Sequence, residues 1–235
     1  MKMLLIFGGR SEIGEELVKN CKHRGEKYIS IGRTKGPTCQ QIGDLREPES
    51  INLTDDALNT TRIIFCQRYR PAKNDVYSMI EDLQTSVKGP LVFCRRVVEK
   101  FPKLTNIIFI SSGAAEFISD EQPIEYHIVR AGLESMARYL AYEFSPKGIA
   151  VNSIRVGYVK GQGKQVRDDG TFYNVDQYVV PTGGAPNAAE VANAIDKVSH
   201  LNDCMITGQT INVDAGITLR THASLAYSIV KKMNQ

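Results

Sequence analysis

The stretch that decides the fold is Ile107–Gly157, which opens with the apolar run Ile107-Ile108-Phe109-Ile110 and continues into Ser111-Ser112-Gly113. A short run that is apolar throughout is typical of a strand buried on both faces of a sheet. From Tyr126 onward apolar residues recur at helical spacing, namely Val129, Leu133, Met136, Leu140 and Phe144. Ser145–Gly148 then ends the helix, and the β-branched segment Ile149–Arg155 is typical of another strand.

This order of strand, loop, helix and strand predicts where polar side chains meet. Ser112 would lie at the carboxyl end of a central strand, with Tyr126 and Arg130 on the facing helix. Because ligands of open parallel sheets bind at that edge, we expect the functional site there.

A related unit opens the chain. The apolar run Lys2–Phe7 leads directly into Gly8-Gly9-Arg10-Ser11-Glu12-Ile13-Gly14, and a helix follows to about Arg24, where Gly25 ends it. Strand, glycine-rich turn and helix is the context of a dinucleotide-binding fingerprint. The glycines let a pyrophosphate approach the backbone, and the helix N-terminus offers N–H donors.

Composition bounds the class of protein. A chain of 235 residues with 42% hydrophobic and 23% charged residues is ordinary for one globular domain, which we expect to span 1–235. The net charge of +3 is small, and the sequence has no basic stripe of the kind that binds nucleic acid, so no nucleic-acid partner is expected. No apolar run reaches the roughly 18 residues of a membrane span, and Met3–Phe7 is too short for a signal-peptide core.

Cysteine and histidine usage adds two expectations. The five cysteines are odd in number and lack a paired metal spacing, which favours a reducing, cytoplasmic location over a disulfide scaffold. The histidines are dispersed, so neither a metal site nor a histidine-based triad is expected: His23, His127, His200 and His222.

Taken together, these motifs resemble the short-chain dehydrogenase/reductase family. That family carries a Ser after a strand and a Tyr-x-x-x-Lys at the start of the next helix; here Ser112 matches the Ser, with Ser111 as the other candidate, Tyr126 matches the Tyr, and Arg130 stands at the Lys position. The resemblance covers nearly the whole chain. It implies an α/β fold with a Rossmann-type doubly wound, mostly parallel seven-stranded sheet and helices on both faces.

Several family positions are changed in this chain. In the turn after the first strand, Phe7 replaces Thr and Glu12 replaces the middle Gly, whereas Gly8 and Gly14 are retained. A carboxylate is favourable at a helix N-terminus but repels a pyrophosphate held there. Two interpretations stay open: either Glu12 points outward and caps the helix, or cofactor binding is weakened or lost. After the fourth strand, Cys66-Gln67-Arg68-Tyr69 replaces Asn-Asn-Ala-Gly.

The resemblance also implies a cofactor site. After the second strand, the acidic residue typical of NAD-dependent members is replaced by Gly32, and Arg33 follows. A guanidinium suits a 2′-phosphate, so NADP(H) is favoured over NAD(H), although Arg33 as a solvated surface residue is the alternative. The other expected cofactor contacts are Gly8, Arg10, Ser11, Ile13, Gly14, Asp44, Leu45, Cys66 and Val159.

The chemistry implied by the resemblance is hydride transfer at the nicotinamide with Tyr126 as acid and base. Ser112 would polarise the carbonyl, and Arg130, one turn after Tyr126 on the same face, would supply a cation that does not readily lose its proton. The position of the family's relay Asn is held by Ser86. The expected substrate is a small or carrier-bound carbonyl or alcohol. A catalytically degenerate binding or assembly subunit is the alternative, and a lyase or isomerase is also open.

Further structural expectations complete the sequence interpretation. A helix is expected over about Glu49–Asn59, and a long one over Asp75–Phe101 with a kink at Gly89-Pro90. In the family this long helix and the Tyr-bearing helix pack against a partner subunit, which implies a homodimer or homotetramer. A substrate-covering loop is expected over about 158–187, where Lys160, Lys164 and Arg167 could meet an anion or be solvated.

Overall fold

The computed structural model describes residues 2–72, 75–159, 180–201 and 205–233. Its sheet has seven strands in the order β3-β2-β1-β4-β5-β6-β7, and every neighbouring pair is parallel. The strands are β1 Met3–Phe7, β2 Lys27–Gly32, β3 Gln41–Ile42, β4 Thr60–Phe65, β5 Asn106–Ser112, β6 Ala150–Val156 and β7 Thr210–Val213. The predicted Rossmann-type parallel sheet is confirmed, and its winding reverses between β1 and β4.

Helices cover both faces of this sheet. They are α1 Glu12–Arg24, α2 Met79–Leu83, α3 Gly89–Val97, α4 Ile124–Phe144, α5 Ala188–Ser199 and α6 His222–Met233. Alternate strand residues face opposite sides, so Leu5 and Phe7 pack with α3 and α4, whereas Leu4 and Ile6 pack with α1 and α5. Of the helices in the described ranges, none combines the length and apolar character needed to cross a bilayer.

The predicted end of α1 at Gly25 is confirmed. The Ser11 side chain caps α1 by accepting a hydrogen bond from the Gly14 N–H at 3.0 Å, and Gly25 ends the helix at φ 62°. Asn187 begins α5 with a capping box in which Glu190 reciprocates. The N-cap of α1 is thus Ser11, and Glu12 is the first helical residue.

The prediction of a helix over Glu49–Asn59 is wrong. The chain instead forms two 3-10 turns, Pro48–Ser50 and Asp55–Asn59, with extended residues between them. The guanidinium of Arg96 donates to the carbonyls of Glu49 and Ile51, at 2.8 Å each. These side-chain bonds satisfy backbone acceptors that a helix would otherwise have used.

The prediction of one kinked helix over Asp75–Phe101 needs correction. The helical region begins at Met79, because Ser78 caps it, and it ends at Val97. Between α2 and α3 lies a π-helical turn, Gln84–Lys88, just before Gly89-Pro90. Proline has no N–H to continue the ladder, and the wider turn accommodates it without ending the helix.

A buried ionic cluster ties the helices to the amino ends of the strands. Arg62, with its side chain 2% exposed, donates from Nη1 to Ser199 Oγ at 2.5 Å and to Asp196 Oδ1 at 3.4 Å, and from Nη2 to Glu26. Arg24 also reaches both carboxylates, at 3.0 Å from Nη2 in each case. Two arginines therefore balance two carboxylates at this end of the sheet.

The cluster predicts an acid-sensitive contribution to stability. Burial raises the pKa of Glu26, but the hydrogen bonds and charges of Arg62 and Arg24 lower it by more than burial raises it. The net pKa is therefore below its ordinary value of 4.5. A carboxyl whose pKa falls on folding stabilises the protein above its unfolded pKa, and that stabilisation is lost as pH falls through the folded pKa. We therefore expect the free energy of unfolding to fall below pH 4.5 less steeply in Glu26→Gln than in the wild type. Urea unfolding across this pH range measures the difference, and parallel curves would contradict it.

Candidate functional site

The carboxyl ends of the central strands surround a cavity of about 110 Å³. It is lined by residues of the turn after β1, the segment after β4, the ends of β5 and β6, and the first turns of α4: Ser11, Glu12, Ile13, Cys66, Gln67, Arg68, Arg70, Ile110, Ser111, Ser112, Tyr126, Arg130, Val156, Gly157 and Val159. All three predicted catalytic residues line it, as do four of the predicted cofactor contacts: Ser11, Ile13, Cys66 and Val159.

A larger depression of about 430 Å³ lies elsewhere, lined by Glu26, Lys27, Thr54 and Asp56 among others. It holds none of the predicted site residues. Its place is near the amino ends of β1 and β2, away from the edge at which parallel sheets bind ligands. We therefore assign the candidate site to the smaller cavity.

The two serine candidates differ in their hydrogen bonds. Buried Ser111 donates to Glu134 Oε1 at 2.8 Å, and Glu134 also receives Nη2 of Arg155 at 2.7 Å. Ser112 is half-buried and accepts from the Ala114 N–H at 3.3 Å, while its hydroxyl donates to none of the described residues. The hydroxyl of Ser112 is therefore the one left to serve a ligand in the cavity.

Tyr126 lies in the first turn of α4, half-buried beside the cavity. The Cζ atom of Arg130 is 4.8 Å from the centroid of its ring, so the guanidinium covers the ring face in a cation–π contact. The four-residue spacing along the helix brings these two side chains together, as the sequence indicated.

The guanidinium of Arg130 has a partner that the sequence interpretation missed. Its Nη2 donates to Asp82 Oδ1 at 2.7 Å and Oδ2 at 2.9 Å, and to Ser86 Oγ at 2.8 Å. Ser86 in turn donates to Asp82 Oδ1 at 2.5 Å. The available signal was the spacing of Asp82 and Ser86, which are four residues apart on one helical region.

A second tyrosine completes this buried network. The Tyr77 hydroxyl donates to Asp82 Oδ2. Burial, together with the hydrogen bond to Asp82 and its charge, raises the pKa of Tyr77 above its usual range. Tyr77 is therefore a permanent donor to Asp82 and stays protonated at neutral pH.

The predicted glycine turn has its own structural requirements. Gly8 has φ 79°, and a Cβ there would lie 2.5 Å from the Gln67 nitrogen. A Cβ on Gly14 would lie 2.2 Å from the Gly8 carbonyl oxygen, which also accepts from Ser11 Oγ at 2.8 Å. Close packing of the turn against β4 and α1 is thus sufficient to require both glycines.

The remaining predicted cofactor contacts lie outside the cavity. Arg10 donates to Thr34 Oγ1, and Arg33 is exposed near Asp44. Leu45 is 4% exposed, and its side chain belongs to the hydrophobic core. The structure therefore does not bring these residues into the cavity that holds Tyr126.

Asp44, another of these expected contacts, is already bonded within the chain. Arg46 donates to its Oδ2 from Nε at 3.0 Å and from Nη2 at 2.6 Å. Burial raises the pKa of Asp44, but the bonds from Arg46 lower it more, and the net pKa is below its usual range. Asp44 is therefore a charged, paired carboxylate before any ligand arrives.

Charged groups surround the mouth of the cavity. Arg68 and Arg70 follow β4, and Glu12 lies across from them at the start of α1. Burial and the charge of Arg68 lower the pKa of Arg70, while Glu12 and Tyr126 act in the opposite direction. Glu12 therefore lines the cavity and interacts electrostatically with Arg70.

Two observations concern cysteine and metal-ligating side chains. Burial raises the pKa of the Cys66 thiol to about 12, so it is not a thiolate at neutral pH. Within the ranges that the structure covers, no group of three or more His, Cys, Asp or Glu side chains could hold a metal ion.

The predicted loop residues Lys160, Lys164 and Arg167 lie outside the described residues, as does most of the segment 158–187.

The fold and the cavity define a Rossmann-type α/β protein with its site at the switch point of a parallel sheet. A sequence model of the family described as enoyl-(acyl carrier protein) reductase matches residues 72–218. The chain belongs to the short-chain dehydrogenase/reductase family, to which that description refers.

Individual relatives are distant. A glucose 1-dehydrogenase of Gluconobacter oxydans is 26% identical over 140 residues, which cover 58% of this chain and 53% of that protein. The chain thus spans about half the length of this relative. Carbonyl reductase family member 4 of Danio rerio is 23% identical over 93% of this chain and 98% of its own. A solved short-chain dehydrogenase of Leptospira borgpetersenii with bound NAD+ superimposes with a TM-score of 0.74 at 22% identity, covering 92% of each chain.

Proposed function

We propose that this protein is an NADP(H)-dependent oxidoreductase of the carbonyl reductase or alcohol dehydrogenase type. The observation that carries the proposal is the meeting of Ser112, Tyr126 and Arg130 in one cavity at the carboxyl edge of the sheet. Membership of a family of dehydrogenases and reductases supports the same reading. A cytoplasmic location is part of the proposal.

The residues present fit a nicotinamide dinucleotide. Arg130 Nε and Gln67 Oε1 are buried polar atoms with no hydrogen-bond partner among the described residues, and both side chains line the cavity. A ligand hydroxyl can accept a hydrogen bond from Arg130 Nε and donate one to Gln67 Oε1, as a ribose hydroxyl would. When bound, the cofactor would supply or take up the hydride.

The chain's own residues would manage the proton and the carbonyl. The free hydroxyl of Ser112 donates to the substrate oxygen and polarises it. Tyr126 donates its phenolic proton to that oxygen during reduction and takes it back during oxidation. Arg130 packs its guanidinium against the face of the Tyr126 ring and offers Nε to the ligand.

The preference for NADP(H) is supported by the exposed guanidinium of Arg33 after β2, with Arg10 close by at Thr34. We expect Arg33→Glu to weaken NADPH binding by about 10- to 100-fold, because a charge-assisted contact to the 2′-phosphate is lost and a repulsion is added. Nicotinamide fluorescence during titration with NADPH and NADH measures this.

The charge reversal Lys22→Glu on the exposed last turn of α1 is the matched control and is expected to leave both affinities unchanged. Equal NADPH affinity in Arg33→Glu and the wild type would contradict the cofactor assignment.

A second candidate function is a catalytically degenerate binding or assembly subunit. Two observations favour it: Glu12 faces the cavity mouth where a pyrophosphate would lie, and Asp44 is already bonded to Arg46. Absence of binding of either nucleotide at millimolar concentration would decide for this alternative.

The proposed substrate is a small or carrier-bound carbonyl or alcohol, and the proposed assembly is a homodimer or homotetramer. The exposed apolar side chains of α4, among them Ile124, Ile128, Tyr139 and Tyr142, support contact with a second copy. Light scattering on the purified protein tests the assembly, and a monomeric mass would exclude it.

A further inference from the structure

We propose that Asp82 is a positioning residue of this site, which holds the Arg130 guanidinium under the Tyr126 ring and cancels its charge. Tyr126 then works beside a neutral ion pair and not beside a net cation. As far as it concerns turnover, this inference rests on the proposed function, but its central test needs neither cofactor nor substrate.

The geometry of the pair is that of a buried salt bridge. The side chain of Asp82 is 0% exposed and that of Arg130 is 2% exposed. Both carboxylate oxygens receive Nη2 of Arg130, at 2.7 and 2.9 Å. Since both charges are almost entirely buried, each depends mainly on the other for compensation.

The remaining contacts of Asp82 hold the carboxylate in place. Ser86 donates to Oδ1 at 2.5 Å, and Tyr77 donates to Oδ2. The Tyr77 ring also stands edge-on to the ring of Tyr126, at 6.3 Å between centroids and 87° between planes. Among the described residues, the donors to the Asp82 carboxylate thus lie in the segment before α2, on the turn that follows α2 and on α4.

The other charged groups near Tyr126 come from different elements. Arg70, in the segment after β4, interacts electrostatically with Tyr126. Arg70 is in turn attracted by the carboxylate of Glu12 on α1 and repelled by Arg68. His127, the next residue on α4, has its ring 6.5 Å from that of Tyr126 between centroids, and its Nε2 accepts from the Ser119 N–H at 2.9 Å. Among the described residues, the buried charge in contact with the tyrosine ring is thus that of Arg130, and Asp82 is the carboxylate paired with it.

A defined electrostatic consequence follows. A buried cation a few ångströms from a phenol favours tyrosinate strongly, whereas a neutral pair at the same place favours it much less. Replacing Asp82 by its neutral isostere leaves Arg130 as an uncompensated cation. We expect Tyr126 in Asp82→Asn to ionise about one pH unit lower than in the wild type, which is a tenfold change in the ionisation equilibrium.

Tyrosinate absorbance measures this on the free protein. The titration of Tyr126 is isolated by difference in each background. The curve of Tyr126→Phe is subtracted from that of the wild type, and the curve of Asp82→Asn combined with Tyr126→Phe is subtracted from that of Asp82→Asn. Glu81→Gln is the matched control, because Glu81 is the adjacent carboxylate on α2 but pairs with Arg46 at 2.7 Å outside the site. An unchanged Tyr126 midpoint in folded Asp82→Asn would overturn the proposal.

A second variant covers the case in which Asp82→Asn does not fold. Asp82→Asn combined with Arg130→Gln removes both buried charges, and a neutral pair predicts that Tyr126 then ionises within a few tenths of a pH unit of the wild type. A midpoint about one unit higher in the double variant would show that Arg130 acts as a net cation despite Asp82, and would overturn the proposal.

Failure of this inference and failure of the proposed function are distinguishable. If the enzyme turns over, the pH profile of kcat in Asp82→Asn should move in the same direction as the absorbance titration, which a merely structural role for Asp82 would not produce. If the protein binds no nucleotide, the absorbance titration still reports whether Asp82 neutralises Arg130.

Discussion

Tyr126→Phe is expected to lower turnover by about 1,000-fold or more, because the substitution removes the group that carries the proton to and from the substrate oxygen. The measurement is NADPH consumption with a carbonyl substrate found by screening. The hydroxyl of Tyr126 makes no hydrogen bond to any of the described residues, so its loss should leave the fold and nucleotide affinity nearly unchanged. The effect should thus appear in kcat and not in cofactor binding.

Tyr139→Phe is the matched control for this experiment. Tyr139 lies on the same helix, is 62% exposed and does not line the cavity, so this variant should keep wild-type kinetics. Wild-type rates in Tyr126→Phe would remove the assignment of Tyr126 as acid and base. Loss of nucleotide binding in that variant would instead indicate a damaged site.

Arg62→Ala is expected to lower the free energy of unfolding by about 3–5 kcal/mol. The substitution leaves Glu26 and Asp196 facing one arginine instead of two and opens a gap in a fully buried region. Since domains of this size have only about 5–15 kcal/mol of stability, the effect is large. Denaturant unfolding followed by circular dichroism measures it.

Arg95→Ala provides the comparison for Arg62→Ala. Arg95 forms an ion pair with Glu143 at 2.7 Å, but both side chains are substantially exposed. Exposed pairs contribute about 0–1 kcal/mol, so this variant should unfold almost as the wild type does. If the two variants lost equally little free energy of unfolding, the burial of the Arg62 cluster would not strengthen its contribution to stability.

The altered site has a consistent physical logic. Arginine at position 130 cannot enter a proton relay, and Asp82 removes most of its net charge. The chain therefore retains the positions of a serine and a tyrosine at the cavity but surrounds them with fixed, paired charges. Nucleotide binding is what distinguishes an oxidoreductase with this site from a degenerate subunit, and titration with NADPH and NADH measures it.

Local patterns were sufficient to predict much of the architecture. Short apolar runs indicated the parallel strands, and Gly25 marked the end of α1, because a cap is set by residues within one turn. The pairing of Tyr126 with Arg130 followed from helical spacing alone. The failed helix at Glu49–Asn59 shows the limit, since side-chain bonds from Arg96 on α3 replaced the local ones there.

Sequence by itself thus determined the fold class and the place of Ser112, Tyr126 and Arg130 at one sheet edge. Tertiary structure alone decided the partners of the charges: Asp82 and Arg130 are 48 residues apart, and Arg62 and Asp196 are 134 apart. Spacing rules reach only the next turn or the neighbouring strand. A buried charge instead pairs with whichever opposite charge the packing of distant elements brings within about 3 Å, because it has no water to turn to.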